Sequence, residues 1–157
     1  MSDFGLAFVF LLVAVDPFGL LPIFISLTEG MTTFQKRRVI SQSIITALCI
    51  AIAFIFLGRA LFRAIGVTFS DFMIAGGALL FVIAVRDLIG GEKGQEVSPR
   101  SLGAVPLGTP LIVGPAVLTS ALMLRDVYGL LPTIFATVAN ILLVGIIFLL
   151  SDFLVKL

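Results

Sequence analysis

A break in the middle of a long apolar run limits what this chain can fold into more than any other feature. Between Phe4 and Leu27 almost every residue is apolar, yet the centre reads Asp16-Pro17-Phe18-Gly19-Leu20-Leu21-Pro22. A soluble turn would have polar neighbours; here the flanks are Phe8-Val9-Phe10-Leu11-Leu12-Val13 and Ile23-Phe24-Ile25. An ionisable group at depth in lipid is costly, so Asp16 is expected to face the protein interior or a wet cavity and to mark a functional site. Pro17 and Pro22 deprive the Val13 and Phe18 carbonyls of their helical donors, and hydrocarbon offers no replacement.

Composition decides that the run lies in lipid. Hydrophobic residues are 60% of the 157 and charged residues 12%, against about half and about a quarter in an ordinary soluble domain. The chain therefore reads as an integral membrane protein whose first partner is the lipid bilayer. Its net charge of +1 and lack of a basic stripe point to no nucleic acid. Cys49 is the only cysteine and there is no histidine, which excludes an intrachain disulfide, cysteine- or histidine-built metal sites and Ser-His triads. An intramembrane enzyme would need paired deep carboxylates or a serine with a base; with one deep acid the chain is not expected to be an enzyme, and no cofactor is implied. The N-terminal run has no leading Lys or Arg and is too long for a signal peptide, so it reads as a retained span.

Five segments are long and apolar enough to cross a hydrocarbon core: Phe4–Leu27, Val39–Phe62, Phe69–Val85, Leu102–Leu124 and Leu130–Leu150. The expected fold is all-α, a polytopic transmembrane helix bundle forming a single membrane domain over 1–157. Lys36, Arg37, Arg38, Arg86, Lys93, Arg100 and Lys156 fall on one side, and Arg59, Arg63 and Arg125 on the other. The positive-inside rule then puts the N-terminus outside and the C-terminus in the cytoplasm. Residues 89–101, rich in glycine and charge, read as a cytoplasmic linker between a first half (1–88) and a second half (102–157).

The fourth segment repeats the oddity of the first, as Val105-Pro106-Leu107-Gly108-Thr109-Pro110-Leu111-Ile112-Val113-Gly114-Pro115. Prolines recur five residues apart in both, Pro17 with Pro22 and Pro110 with Pro115. At ~1.5 Å per residue, Asp16 and Gly114 each lie roughly 18 Å into a core about 30 Å thick. An odd number of crossings separates the breaks, so they enter from opposite faces, as in transporters with interrupted helices at a central site. Asp16-Pro17 and Thr109-Pro110 both have the form of an N-cap followed by proline at the first helical position. Each break would offer a half-helix N-terminus for a carboxylate and freed carbonyls for an ammonium or small cation. Gly19, Gly108 and Gly114 leave room for a ligand at the backbone.

Plainer readings stand beside these. Asp16 is either a cap alone or a binding group, and sequence does not separate the two. Ala75-Gly76-Gly77-Ala78 reads as a helix-packing face, and Ser41, Gln42, Ser43 and Thr46 as bonding groups toward neighbouring helices. Asn140 suits either a neighbouring helix or a substrate. Arg59 and Arg63 read as interfacial anchors, and Asp71, Asp87, Asp126 and Asp152 as solvated boundary charges.

Three stretches in order carry a family resemblance: Asp16-Pro17-Phe18-Gly19 with Pro22-Ile23-Phe24 and Ser26-Leu27-Thr28; Ala75-Gly76-Gly77 with Leu80-Phe81; and Val105-Pro106-Leu107 with Pro110-Leu111-Ile112 and Gly114-Pro115. Over essentially its whole length the chain resembles the MarC family of membrane proteins, related to LysE-type exporters. The resemblance implies a plasma-membrane protein of six spans in two inverted three-span repeats, with broken helices one and four, and transport of neutral amino acids such as glycine and alanine. Five of the six spans are visible, and the second repeat is expected to be incomplete. Leu20 stands where family members commonly have Asn. The expected function is alternating-access transport of a small solute, with H⁺ or Na⁺ as a conceivable coupling ion and a homo-oligomer compatible; the alternative is a membrane subunit that transports nothing itself.

Overall fold

The computed structural model describes residues 2–68, 111–151 and part of 70–85, and every described regular element is helical. The elements are α1 (Asp3–Val15), α2 (Pro17–Leu27), α3 (Thr33–Ile65), α4 (Pro115–Tyr128) and α5 (Leu130–Leu149). Described positions between 70 and 85 are helical as well. Among the described residues three stretches are long and apolar enough to cross a membrane: Asp3–Leu27, Thr33–Ile65 and Leu130–Leu149. The expected linker over 89–101 lies outside the described residues.

α3 starts earlier than its apolar run suggests. Thr32 caps it: the Gln35 N–H donates to Thr32 Oγ1 at 3.3 Å, and Gln35 Oε1 accepts from the Thr32 N–H at 2.8 Å. That reciprocal pair satisfies two donors of the first turn. Lys36, Arg37 and Arg38 therefore belong to the helix rather than to a loop. Its 33 residues span about 50 Å, well beyond a ~30 Å hydrocarbon core. Arg38 to Arg59 is 21 steps, about 32 Å, so the cations bracket an apolar middle of membrane thickness.

The burial pattern of α3 shows what it packs against. Val39, Ser43, Ala47, Ala51, Ile55 and Gly58 are buried at spacings of three or four, and four of them are small. Small residues let membrane helices approach closely. A Cβ on Gly58 would lie 3.1 Å from Leu122 of α4, and one on Gly145 of α5 would lie 3.1 Å from Ile44. The second contact, with Thr33 and Lys36 sharing a groove with Leu149 and Ser151, sets α5 antiparallel to α3. Ser43 does not reach a neighbouring helix as expected; its hydroxyl donates to Val39 O at 2.8 Å in its own helix.

The bend at Asp16 is legible in what α1 and α2 touch. Phe8 O accepts from Asn140 on α5, and Phe24 stacks on Phe148 with centroids 4.2 Å apart. Sixteen residues of straight helix would advance about 24 Å, whereas Asn140 to Phe148 on α5 is only about 12 Å. The α1–α2 unit therefore folds sharply rather than running straight along α5.

At the end where α3 stops, Arg125 donates to the Ile55 carbonyl and Arg59 pairs with Asp126. Arg59 and Asp126 were expected to be an interfacial anchor and a solvated boundary charge; they form an exposed bridge between α3 and α4. Asp71 also has a partner: Thr68 N–H donates to its carboxylate at 2.9 Å, and Asp71 N–H donates to Thr68 Oγ1 at 3.2 Å, capping the next helix. Phe72 then packs on Phe54 and Phe62. Among the described residues Ala75, Gly77 and Ala78 are exposed and nothing lies within 4 Å of a Cβ built on Gly77, so these three do not form the packing face expected for Ala75-Gly76-Gly77-Ala78. The connection from α4 to α5 is Gly129 alone, at φ 92°, where a side chain would be strained.

Candidate functional site

Asp16 ends one helix and begins the next. Its N–H donates to Leu12 O at 3.0 Å, closing α1, and its carbonyl accepts from Leu20 N at 3.1 Å, opening α2. Its carboxylate Oδ1 accepts from the Gly19 N–H at 3.1 Å, the bond of an N-cap. To do both it adopts φ 45°, ψ 66°, and it is the only non-glycine residue with positive φ among the described residues. Aspartate tolerates that region better than most because its short side chain bonds locally. Pro17 follows at the first helical position, where its fixed φ suits the turn and its missing N–H costs nothing. The expected cap is present, and the structure adds a left-handed hinge at the same residue.

Gly19 is explained by that cap. A Cβ there would stand 2.2 Å from Asp16 Oδ2 and 2.8 Å from its carboxyl carbon. The space above Gly19, expected to admit a ligand, is taken by the Asp16 carboxylate in this structure. Pro22 lies inside α2, five residues along, with its side exposed.

The exposure of the break differs from expectation. Asp16, Gly19 and Pro22 are exposed, while Pro17, Leu20 and Phe24 turn inward. Among the described residues nothing encloses Asp16, so the interior or cavity environment expected for it is not formed by them. Asp16 Oδ2 has no hydrogen-bond donor among them.

The second break is seen in part. Gly108, Thr109 and Pro110 lie outside the described residues. α4 starts at Pro115 with Gly114 as its N-cap, in extended backbone at φ −85°, ψ 179°, and with no side chain capping it. α4 thus starts at Gly114-Pro115, and Leu111 and Ile112 just before it are helical as well. Just before it, Ile112 and Val113 are fully buried. They share one core cluster with Val15, next to Asp16, and Leu20, one turn on. α1 packs on α4. No described contact joins Asp16 itself to Gly114.

Asn140 proved to be a helix-bonding group with something left over. Its Nδ2 donates to Phe8 O at 3.1 Å and to Ala136 O at 2.9 Å, which fixes the orientation of the amide. The residue is fully buried, and Oδ1 has no partner among the described residues. Thr133 and Thr137, on the same face, spend their hydroxyls on their own helix. Asn140→Leu is expected to leave thermal stability within about 1 kcal/mol of the wild type. The lost interhelical bond is worth ~0.6 kcal/mol in a membrane, and the cost of an unpaired buried oxygen, about 1–3 kcal/mol, disappears with it. Thermal unfolding in detergent checks this; a loss above about 3 kcal/mol would mean that Oδ1 meets a donor in the folded protein.

Among the described residues no three His, Cys, Asp or Glu side chains cluster as a metal site would require. Comparison with known proteins bears on the whole chain. A family model for MarC family integral membrane proteins matches residues 1–157. The UPF0056 membrane protein MJ1677 of Methanocaldococcus jannaschii is 31% identical over 78% of this chain and 64% of its own length. A UPF0056 membrane protein of Archaeoglobus fulgidus is 32% identical over 82% and 64%. The UPF0056 inner membrane protein YhgN of Escherichia coli is 29% identical over 82% and 66%. The chain thus spans just under two thirds of the length of these relatives. No solved structure matches.

Proposed function

The chain belongs to the MarC family of integral membrane proteins, and from that premise we propose that it forms part of a small-solute transporter working by alternating access, with neutral amino acids as the substrate class. The observation that carries this reading is Asp16, held in a left-handed hinge between two half-helices inside an apolar span. A strained residue that both ends and begins a helix is a place where two arrangements of the chain can interconvert. The solute would sit between this break and the one at Gly108, Thr109, Pro110, Gly114 and Pro115, with Pro17, Gly19 and Pro22 shaping the first wall.

The chemistry divides between the two breaks. Asp16 Oδ2, unengaged by any described donor, would take the substrate amine or a coupling H⁺ or Na⁺. The start of α4 carries no side-chain cap, so its first N–H groups and helix dipole suit a substrate carboxylate. In this reading the two halves form inverted repeats in the plasma membrane, with the N-terminus outside. Purified chain in proteoliposomes should bind and exchange radiolabelled glycine or alanine saturably. Uptake no greater than in empty vesicles, with no saturable binding, would count against transport.

A second reading has one observation in its favour. The break's polar face is exposed, which suits a membrane subunit whose Asp16 meets another protein's surface and which transports nothing itself. That subunit would show no saturable binding alone.

A further inference from the structure

α4 is a short piece of helix set between two glycines. Gly114 caps its start in extended backbone, and Gly129 alone links its end to α5. Its 14 residues rise about 21 Å, short of a ~30 Å hydrocarbon core. Two adjacent residues near its end grip a single turn of α3. The Arg125 guanidinium donates to the Ile55 carbonyl, and the Asp126 carboxylate pairs with Arg59. Directly before that grip, buried Leu122 lies against Gly58 of the same turn.

The chemistry of the grip makes it easy to release. Arg59 and Asp126 are 53% and 45% exposed, and ion pairs so open to solvent contribute little to stability. Arg125 bonds a carbonyl inside α3, where the helix supplies a donor of its own, so letting go orphans no acceptor there. The stack of Phe24 on Phe148, buried on both sides, has no such exchange with water. We infer that Arg59, Arg125 and Asp126 form a releasable clamp. When it opens, α4 swings on its glycines away from α3 and admits water beside Leu122. Its use as a gate rests on the transport reading above; the opening itself does not.

Thiol labelling in nanodiscs tests this, with Cys49→Ser removing the native thiol and Leu122→Cys as the reporter. A charged maleimide reacts with thiolate, so the reporter is modified only where water reaches it. Asp126→Asn should speed its labelling about fivefold, the weight of an exposed ion pair. Arg125→Met should speed it about tenfold or more, the weight of a hydrogen bond from a charged group. Arg59→Asp combined with Asp126→Arg rebuilds the pair in reverse and should bring the rate back to within about twofold of the intact clamp. Val144→Cys, buried in α5 beside the contact of Gly145 with Ile44, should label at one rate in every background, with helical circular dichroism confirming that each variant folds. Labelling uses no solute, so absent transport would strike the reading above and leave the clamp standing. A Leu122→Cys rate unmoved by both single substitutions would overturn the inference. So would Leu122→Cys and Val144→Cys speeding up together, which is general loosening, or a charge swap as fast as Asp126→Asn.

Discussion

Asp16→Ala is expected to destabilise the chain by about 2–3 kcal/mol, while Asp16→Asn leaves it within about 1 kcal/mol of the wild type. Alanine loses the bond to the Gly19 N–H, worth about 1 kcal/mol at an N-cap. It also has to hold φ 45° without a polar side chain to bond locally, which costs roughly 1–2 kcal/mol. Asparagine keeps both the acceptor oxygen and the tolerance of left-handed backbone, and removes only the charge. Asp16→Gly should fall between, because glycine relieves the backbone while giving up most of the cap. Thermal unfolding in one detergent orders the series, and alanine equal to asparagine would contradict the cap and hinge assigned to Asp16.

Gly19→Ala should change sign with the residue at 16. In the wild type the new methyl meets the Asp16 carboxylate at 2.2 Å, so the cap breaks and stability falls by about 1–2 kcal/mol. In an Asp16→Gly background the three nearest atoms, all of the Asp16 carboxyl group, are gone, and alanine's helix propensity favours α2 by up to about 1 kcal/mol. The double-mutant cycle therefore carries a coupling of about 2 kcal/mol, large for neighbours three residues apart. A Gly19→Ala effect of the same sign and size in both backgrounds would show that Gly19 is kept for something other than the cap, such as ligand approach.

How much of this was legible beforehand depended on how local each signal was. The last span was expected at Leu130–Leu150 and runs Leu130–Leu149, because a clean apolar run follows a glycine that ends the preceding helix. α3 was under-read at both ends, Val39–Phe62 against Thr33–Ile65. Hydropathy stops at the edge of the lipid, but a helix stops where its donors are capped. Thr32-Thr33-Phe34-Gln35 carried that capping signal in plain view.

At the breaks, the N-cap and proline of Asp16-Pro17 were readable because capping uses residues three apart. The left-handed backbone was not, since one residue serving two helices leaves no extra turn residues to announce it. Long-range pairs were hidden for a different reason. Arg125 with the Ile55 carbonyl and Asn140 with Phe8 O join residues 70 and 132 positions apart, and no periodicity within one helix reports on such partners. Among the described residues Asp16 is exposed, and depth along a helix says nothing about which side faces the bundle.

The central claim is that the charge at Asp16 serves solute movement and not only the bend. Asp16→Asn preserves the cap and the hinge and so isolates that charge. Reconstituted into vesicles, with flux of labelled glycine or alanine followed under imposed H⁺ and Na⁺ gradients, this variant is predicted to lose gradient-driven accumulation while retaining wild-type thermal stability. Flux and ion dependence both unchanged from the wild type would contradict the account and leave Asp16 as a helix cap.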